Sequence, residues 1–265
     1  MEELLLKIKQ GDRKALETLI RNIQQDIFNL SMRFLSRRED AEDATQEIMI
    51  KIITSLSKFE GRSKFSTWTY RVAVNHLLNY RKSGLEQQLN FTLFGEDIRQ
   101  GLKQSDPYYE PDKNLLTEEV KIGCTLGMLL CLDRNLRIAY ILGELFELNS
   151  HEAAEVLEIT PENFRKRLSL ARQTLQRFMY SWCGLVNKQN DCRCHKRINY
   201  AISNARVNRK KLNYVSERQV LLSKDEMEEL YTVSAIFKSY PRFSIDNTKN
   251  DHILKIIGNL ENITR

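Results

Sequence analysis

Residues 58–84 read KFEGRSKFSTWTYRVAVNHLLNYRKSG, a basic and aromatic stretch with the periodicity of an amphipathic helix. At about 3.6 residues per turn, one face of this helix is apolar and comprises Tyr70, Ala73, Val74, Leu77 and Tyr80. The opposite face comprises Trp68, Arg71, Asn75, Asn79 and Lys82. A short basic loop with Lys64 and Phe65 precedes the helix. The stretch therefore predicts a core helix whose outer face carries cations, amides and an aromatic ring.

The outer face of this helix has the chemistry of a nucleic-acid contact. Arginine and asparagine side chains hydrogen-bond to phosphates and base edges, and an exposed aromatic ring stacks on an unpaired base. Because a duplex offers no unstacked base, Phe65 and Trp68 among cations favour single-stranded or melting nucleic acid. The alternative is a solvated basic face, with Trp68 partly packed on a neighbouring element.

The charges of the 265-residue chain are segregated, and the formal net charge is +6. Six basic residues and one acid lie in 58–84, five and one in 161–182, and seven and none in 193–211. Residues 39–47 instead hold five acids. Clustered positive charge indicates a polyanionic partner, and the acidic segment indicates a second partner that is basic.

The acidic segment 40–52, DAEDATQEIMIKI, predicts a second amphipathic helix with Asp40 as its N-cap. Its core face comprises Ala44, Ile48, Ile52 and Leu56, and its opposite face comprises Asp43, Gln46, Glu47 and Ile50. An apolar residue among exposed carboxylates is typical of a protein-docking surface. The alternative is that Ile50 packs on a third helix and the acids are merely solvated.

Residues 148–178 predict a helix-turn-helix. Asn149 or Ser150 is a candidate cap for a short helix, and Thr160 followed by Pro161 starts a longer one. The longer helix has a buried stripe of Phe164, Leu168, Ala171, Leu175 and Phe178, opposite Arg165, Ser169, Arg172 and Gln176. This arrangement suits the DNA major groove, although an ordinary helical hairpin with a solvated cationic face has the same periodicity.

The patterns together predict an all-α fold of two small helical domains. Residues 1–84 form the first domain, with a stripe from Leu16 to Phe34, a cap at Ser66 and an end at Gly84. Residues 85–115 contain glycines and prolines without periodicity and predict a flexible linker. Residues 116–182 form the second domain, and 183–265 form an extension with helices near 223–239 and 250–260. No signal pattern and no apolar run of about 20 residues is present, so we expect a cytoplasmic protein.

The order of these motifs resembles a bacterial RNA polymerase sigma factor, of the short two-domain, extracytoplasmic-function type. Residues 40–52 are similar to that family's polymerase-binding helix, 59–82 to its promoter-melting segment, and 152–175 to its upstream-element reader. The resemblance covers about residues 1–182. It implies that the chain binds core RNA polymerase and promoter DNA, both duplex and melted, with an anti-sigma factor among the candidate partners and no membrane insertion.

The resemblance also implies roles for individual residues. Contacts with the clamp coiled coil of the polymerase are expected from Asp43, Gln46, Glu47 and Ile50. Contacts with the downstream (minus-ten) element are expected from Lys64, Phe65, Trp68, Arg71, Asn75, Asn79 and Lys82. Contacts with the upstream (minus-thirty-five) element are expected from Glu162, Asn163, Arg165, Lys166, Ser169 and Arg172. The recognition helix starts ENFRKR at 162–167, which keeps the family's cationic character but not its usual side chains.

The extension departs from the two-domain pattern. Cys183, Cys192, Cys194 and His195 lie within 13 residues and are candidate zinc ligands. Their spacing is not that of a zinc ribbon or finger, and a redox-active cysteine pair or a packed turn with inert thiols are the alternatives. The tail from 196 to 265 is interpreted either as a packed helical appendage or as a regulatory segment.

Two other classes of protein were considered. A stand-alone helix-turn-helix regulator would need neither an acidic docking face nor an aromatic-basic face. An enzyme such as a nuclease is not expected, because the sequence has no glycine-rich phosphate loop and no metal-ligand helix signature. We expect no required cofactor.

Overall fold

The structure is a computed structural model that describes residues 2–104, 107–215, 232–240 and 242–245. These residues are helical or irregular, with no strand among them, which confirms the predicted all-α fold. The helices are α1 Glu2–Lys9, α2 Arg13–Leu35, α3 Arg38–Thr54, α4 Phe65–Asn79, α5 Gly84–Gln88, α6 Phe91–Lys103, α7 Lys113–Cys131, α8 Arg134–Tyr140, α9 Ser150–Leu157, α10 Pro161–Trp182, α11 Ile198–Ser203 and α12 Val233–Lys238. A π-helical turn, Ile141–Leu145, follows α8, and 3₁₀ turns lie at Leu56–Lys58 and Cys194–Arg197.

The chain forms two compact units. The first unit contains residues 1–81, residues 149–161 and the described part of 243–265; the second contains 82–148 and 162–242. The boundary near residue 81 lies close to the predicted one at 84. The assignment of 149–161 and of Phe243 to the first unit could not be predicted, because it depends on contacts with segments far away in sequence.

The core of the first unit is built by α2, α3 and α4. The α2 side chains predicted as its apolar stripe are buried, among them Leu19, Ile27 and Phe34, except for Leu16, which is half-buried. Asp12 caps α2 by accepting a hydrogen bond from the Ala15 amide at 3.1 Å. Ala44, Ile48 and Ile52 of α3 and Ala73, Val74 and Leu77 of α4 are also buried, as their spacing predicts.

Two predicted helix caps need correction. Asp40 lies inside α3, which begins at Arg38, and the N-cap Arg37 makes no side-chain capping bond. Ser66 lies inside α4, which begins at Phe65 after Lys64. Helix α4 ends at Asn79 rather than near Gly84, which begins α5.

The predicted flexible linker over 85–115 also needs correction, because α5 and α6 occupy most of it. Ser83 and Asn90 cap these helices by accepting hydrogen bonds from the amides of Glu86 and Leu93. Gly95 and Gly101 lie inside α6, where a Cβ would stand 2.8 Å from the Trp182 ring and 2.7 Å from the Tyr200 ring. Glycine is needed here for close packing, and it does not mark a break in the helix.

A buried arginine ties α5 to the end of α7 in the second unit. Arg137 is 1% exposed and donates to the carbonyls of Leu129, Leu130 and Leu132, which terminate α7. Its Nη1 lies 2.9 Å from Glu86 Oε1, and Arg134 Nη2 lies 2.7 Å from Glu86 Oε2. The charge of Arg137 is therefore compensated although it is buried.

The extension after residue 183 packs on α6 and α7 in the same unit. The Glu119 carboxylate is buried and accepts hydrogen bonds from the amides of Asn213, Tyr214 and Val215 at 2.6, 3.0 and 3.1 Å. Ile198, Ala201 and Val207 join Tyr108, Leu116 and Val120 in a small apolar cluster. This part of the extension is thus integral to the unit.

Asp97 on α6 holds the same extension through three side chains. Its carboxylate accepts from Arg197 at 2.8 Å, from Arg206 at 2.6 Å and from the Tyr200 hydroxyl at 2.8 Å. Burial alone would raise the pKa of Asp97, but the hydrogen bonds from Arg206, Arg197 and Tyr200 outweigh it and lower the pKa to about 2.

Phe243 connects the described end of the extension to the first unit. Its ring is 1% exposed, and the Arg33 guanidinium lies 5.3 Å from the ring centroid. The Asn29 side chain accepts from the Phe243 amide at 2.9 Å and donates to its carbonyl at 3.3 Å. Helix α12 lies within the helix predicted over 223–239. Residues 223–231 of that prediction, and the whole helix predicted over 250–260, lie outside the described residues.

Candidate nucleic-acid and protein interfaces

The residues predicted to dock a protein partner lie together beside α4. Asp43 and Glu47 are exposed, while Gln46 and Ile50 are half-buried. All of them line an open groove of about 890 Å³ between α3 and α4, and Asn75 and Asn79 line the other side. The two predicted sites therefore share one groove in the first unit.

A buried histidine forms part of this groove, and sequence reasoning missed it. The Nδ1 atom of His76 lies 2.7 Å from Lys51 Nζ, and its Nε2 lies 3.5 Å from a Glu47 oxygen. Burial, and next the Lys51 charge, lower the pKa of His76 against the opposing effect of Glu47. A neutral His76 accepts a hydrogen bond from Lys51 at Nδ1. No sequence signal joins the three, because they lie on two helices.

The aromatic part of the α4 face differs from its prediction. Phe65 is only 6% exposed and packs on Phe59 and Trp68, with ring centroids at 5.3 and 5.6 Å. Trp68 is half-buried and also contacts Phe59, at 5.5 Å. Phe65 is therefore corrected from an exposed stacking residue to a buried support for Trp68, whose remaining surface keeps the stacking capacity.

The polar part of the α4 face carries the expected donors. Asn75 and Asn79 are exposed, and the Asn79 amide donates to the Asn75 carbonyl at 2.8 Å. Lys64 is exposed and Arg71 is half-buried, and both form ion pairs with acids of the 150–158 segment. Lys82 is exposed but lies just beyond the unit boundary.

The helical elements of the predicted helix-turn-helix are present. Asn149 caps α9 by accepting from the amides of His151 and Glu152, and Glu158 ends that helix with φ +54°. Helix α10 begins at Pro161, as predicted. The left-handed residue at 158 provides the sharp turn that the sequence indicated at this position.

The outer face of α10 is exposed at every predicted position: Glu162, Asn163, Arg165, Lys166, Ser169 and Arg172. Phe164, Leu168, Ala171, Leu175 and Phe178 are buried on the other side, which confirms the predicted stripe. Leu170, 52% exposed, stands among the polar residues. The face thus combines cations, amides and one apolar side chain, a composition suited to base edges and thymine methyl groups.

Arg172 on this face also forms an ion pair within the second unit. Its Nε lies 2.5 Å from Glu144 Oε2, and Glu144 also accepts from the Ser234 hydroxyl. Burial alone would raise the pKa of Glu144, but the hydrogen bonds from Ser234 and Arg172 lower it. Sequence periodicity could not reveal Glu144 as the partner of Arg172, because it lies 28 residues away on another element.

Cys183 and Cys192 lie in the turn that follows α10, and Cys194 and His195 begin the 3₁₀ turn Cys194–Arg197. The Gly184 amide donates to the Cys192 carbonyl at 3.1 Å and closes the loop after Cys183. Burial raises the pKa of Cys183, and it raises that of Cys192 to about 11. His195 has its pKa lowered by burial and by the cations Lys113, Lys196 and Arg193. In the part of the chain that the structure describes, no three His, Cys, Asp or Glu side chains are arranged to hold a metal ion.

Comparison with known proteins finds similar sequences over about two thirds of the chain. Residues 19–84, from the core of α2 to the start of α5, match the model of Sigma-70 region 2. An ECF RNA polymerase sigma-E factor of Haemophilus influenzae is 29% identical over 180 residues, which is 66% of this chain and 93% of the relative. The RNA polymerase sigma-H factor of Pseudomonas aeruginosa is 27% identical over 66% of this chain and 92% of the relative.

A further relative is the ECF RNA polymerase sigma-E factor of Escherichia coli K12, 29% identical over 65% of this chain and 90% of the relative. The all-α fold and these matches support an RNA polymerase sigma factor of the ECF type. About a third of the chain lies outside these alignments. Among the described residues, none of the helices combines the length and apolarity needed to cross a membrane.

Proposed function

We propose that this protein binds core RNA polymerase, directs it to specific promoters and assists strand opening at the start of transcription. The observation that carries the proposal is the shared groove of the first unit. Within the residues matched by Sigma-70 region 2, an acidic docking edge on α3 adjoins a face of amides and cations on α4. A polymerase bound at the first edge would deliver the melting strand to the second.

The α3 edge is proposed as the polymerase contact. Exposed Asp43 and Glu47 supply charge for a basic partner element, and half-buried Ile50 supplies apolar surface between them. Such a mixture gives orientation through charge and affinity through apolar burial. The Lys51–His76 contact fixes one wall of the groove, so this edge is pre-organised for docking.

The α4 face is proposed to hold the separated strand at the downstream element. Trp68 stacks on an unpaired base, Lys64 and Arg71 bind phosphates, and Asn75 and Asn79 hydrogen-bond to bases. Strand opening then needs no catalytic group in this chain, because each captured base offsets about 1–3 kcal/mol of the melting cost. We accordingly assign no enzymatic activity to the chain itself.

The outer face of α10 is proposed to read the upstream element as duplex DNA. Arg165 and Lys166 lie at its N-terminal end, where a recognition helix meets base edges and phosphates. Leu170 is one turn further along the same face. The protein would act in the cytoplasm, where the polymerase is.

The experiment that tests this function is a run-off transcription assay with bacterial core polymerase. The template carries the promoter region upstream of this protein's own gene. Core alone, core with this protein, and core with the Asp43→Ala/Gln46→Ala variant are compared. We expect one start site with the intact protein and a loss of at least about tenfold with the variant, since the polymerase dock is removed.

A matched control is the Glu39→Ala/Gln100→Ala variant, which also removes one acid and one amide, both exposed and outside the groove. It should transcribe as the wild type does. If no protein yields a transcript while the wild type alone shifts duplex promoter DNA, a stand-alone regulator replaces this proposal.

For residues 183–195 we propose a packed turn with inert thiols, in which burial raises the pKa of Cys183 and Cys192. Zinc remains the alternative prediction. Elemental mass spectrometry of the purified protein separates the two. We expect no metal at stoichiometric amount, whereas one zinc per chain that disappears in Cys183→Ser/Cys192→Ser would establish the metal site.

A further inference from the structure

Helix α9 packs on α4 within the first unit and lies against the face proposed to hold the melted strand. Three glutamates follow one another at three-residue intervals in this segment: Glu152, Glu155 and Glu158. Residues three apart on a helix share a face. Helix α9 and the residue that ends it therefore present a row of carboxylates.

The carboxylates of these three glutamates form ion pairs with two cations of the α4 face, Lys64 and Arg71. Lys64 Nζ lies 2.8 Å from Glu152 Oε1. Arg71 Nη2 lies 3.4 Å from Glu155 Oε1, and its Nε lies 3.3 Å from the Glu155 carbonyl oxygen and 3.9 Å from Glu158 Oε1. The hydrogen bond to Glu152, and next its charge, raise the pKa of Lys64, so the pair stays charged at neutral pH.

The position of Glu152 is fixed by α9 itself. It is the third residue of the helix, and its Oε2 accepts from the Asn149 side chain at 2.8 Å while Asn149 caps the same turn. This reciprocal arrangement is a side-chain variant of the capping box, in which the Asn149 side-chain amide replaces the N-cap backbone amide as the donor to Glu152. The carboxylate is therefore held in place without Lys64, and it offers Lys64 an anionic oxygen at hydrogen-bonding distance.

We propose that helix α9 is an intramolecular stand-in for the nucleic-acid backbone, and that it must leave the α4 face before a melted strand can bind there. The inference rests on the proposed function, since it concerns regulation of the same strand-binding face. A row of carboxylates on Lys64 and Arg71 occupies the positions that phosphates need. The isolated protein therefore binds single-stranded DNA weakly, and core polymerase favours the uncovered state.

Helix α9, here called the cover, is held on the α4 face by weak contacts. Both ion pairs are partly exposed, and pairs of this kind contribute little individually and weaken with salt. A cover held by weak contacts is populated in the free chain yet displaced by a partner that binds the uncovered state better. The apparent affinity for the strand falls by the fraction of chains that are uncovered.

The test uses full-length protein carrying Glu152→Gln, Glu155→Gln and Glu158→Gln. Glutamine removes the charges but keeps the capping box, which accepts either residue at this position. Binding to a fluorescein-labelled single-stranded DNA of roughly 12 nucleotides, within the span of common single-strand sites, is measured by anisotropy without polymerase. We expect the triple variant to bind about three- to tenfold more tightly than the wild type.

The matched control is Glu3→Gln/Glu39→Gln/Glu96→Gln, which changes the net charge equally at exposed positions away from α4. It should gain at most about twofold, as expected for a general loss of negative charge. Equal gains in single-strand affinity for both triple variants, or no gain for either, would contradict the proposal that α9 masks the α4 face. Circular dichroism of each variant establishes that the helical content is unchanged.

The run-off assay separates failure of the cover from failure of the sigma function. With core polymerase present, wild type and Glu152→Gln/Glu155→Gln/Glu158→Gln protein should transcribe within about twofold of each other, because polymerase binding displaces α9. A variant advantage that persists undiminished with core contradicts displacement by polymerase. Absence of transcript with both proteins contradicts the sigma function, whatever the strand affinity shows.

Discussion

Helices α4 and α10 are both basic, amphipathic and predicted to contact DNA, yet the structure treats their outer faces differently. All six predicted residues of α10 are exposed, and Arg172 forms an ion pair with Glu144 of the second unit. At the α4 face, two of the three predicted cations, Lys64 and Arg71, are engaged by acids of the 150–158 segment. A helical period identifies the face turned away from a helix's own core, but it does not tell what a distant segment places on that face.

The difference suggests that the two DNA-binding activities are available at different stages. A face that reads duplex DNA can be exposed at all times, because the polymerase must first be brought to the promoter. A face that holds a melted strand has no ligand until the duplex opens. Covering it reduces non-specific binding by a chain whose net charge is positive.

The largest expected effect concerns the exposed helix. Replacing Arg165 and Lys166 by Ala should weaken binding of the polymerase–protein complex to duplex upstream DNA by at least about tenfold, and should lower the salt dependence by about two phosphate contacts. Filter binding over a salt series measures both. The Arg21→Ala/Lys103→Ala variant removes equal charge at exposed positions of α2 and α6; if it loses as much affinity, α10 has no special role in reading the duplex.

The next effect concerns the single-strand affinity of the α4 face, and its size should depend on the carboxylates of α9. In the wild-type background, Lys64→Ala/Arg71→Ala should reduce single-strand affinity by less than about threefold, because both cations are already engaged. In the Glu152→Gln/Glu155→Gln/Glu158→Gln background the same change should cost about tenfold. Anisotropy on the four proteins gives the coupling, and additive effects would show that the acids do not mask these cations.

The stability of the second unit should depend on the ionised carboxylate of Asp97. The folded-state pKa of about 2 lies below the ordinary value of 3.8. Its contribution is therefore fully present above about pH 4 and is lost as the pH falls toward about 2, a total of about 2 kcal/mol in the free energy of unfolding. Urea unfolding of wild type and Asp97→Asn at pH 7 should show this loss directly; equal stabilities would contradict the assigned anchor.

The smallest expected effect concerns the stability that Arg172 of α10 contributes. Arg172→Ala should lower the free energy of unfolding by about 1 kcal/mol, because the partly buried Glu144 loses a charged partner. Gln173→Ala, at the neighbouring exposed position, should change it by less than about 0.5 kcal/mol. Thermal unfolding of both variants measures the difference. Equal free energies of unfolding for the two variants would show that the Arg172–Glu144 ion pair does not stabilise the fold.

Much of the fold could be predicted because apolar residues repeat with the helical period. The buried stripes of α2 and α10 and the start of α10 at Pro161 follow from that period and from standard helix-start residues. The common position of Asp43, Gln46, Glu47 and Ile50 along one groove follows for the same reason, since they lie opposite a predicted core stripe.

The remaining features depend on contacts between segments distant in sequence. Gly95 and Gly101 suggested a linker, but in α6 they make room for the rings of Trp182 and Tyr200. Phe65 was predicted as exposed beside Lys64, yet it turns inward to Phe59. The partners of Lys64, Arg172 and Asp97 are all supplied from far along the chain, where no local pattern indicates them.

The central claim is that this chain enables core polymerase to open a promoter. Permanganate footprinting, which detects unpaired thymines, tests it most directly on the promoter of the protein's own gene with core polymerase and wild-type or Lys64→Ala/Arg71→Ala protein. The account predicts reactive thymines at one start site with the wild type and a several-fold loss with the variant. Unreactive thymines with the wild type, on DNA to which the complex is demonstrably bound, would contradict it.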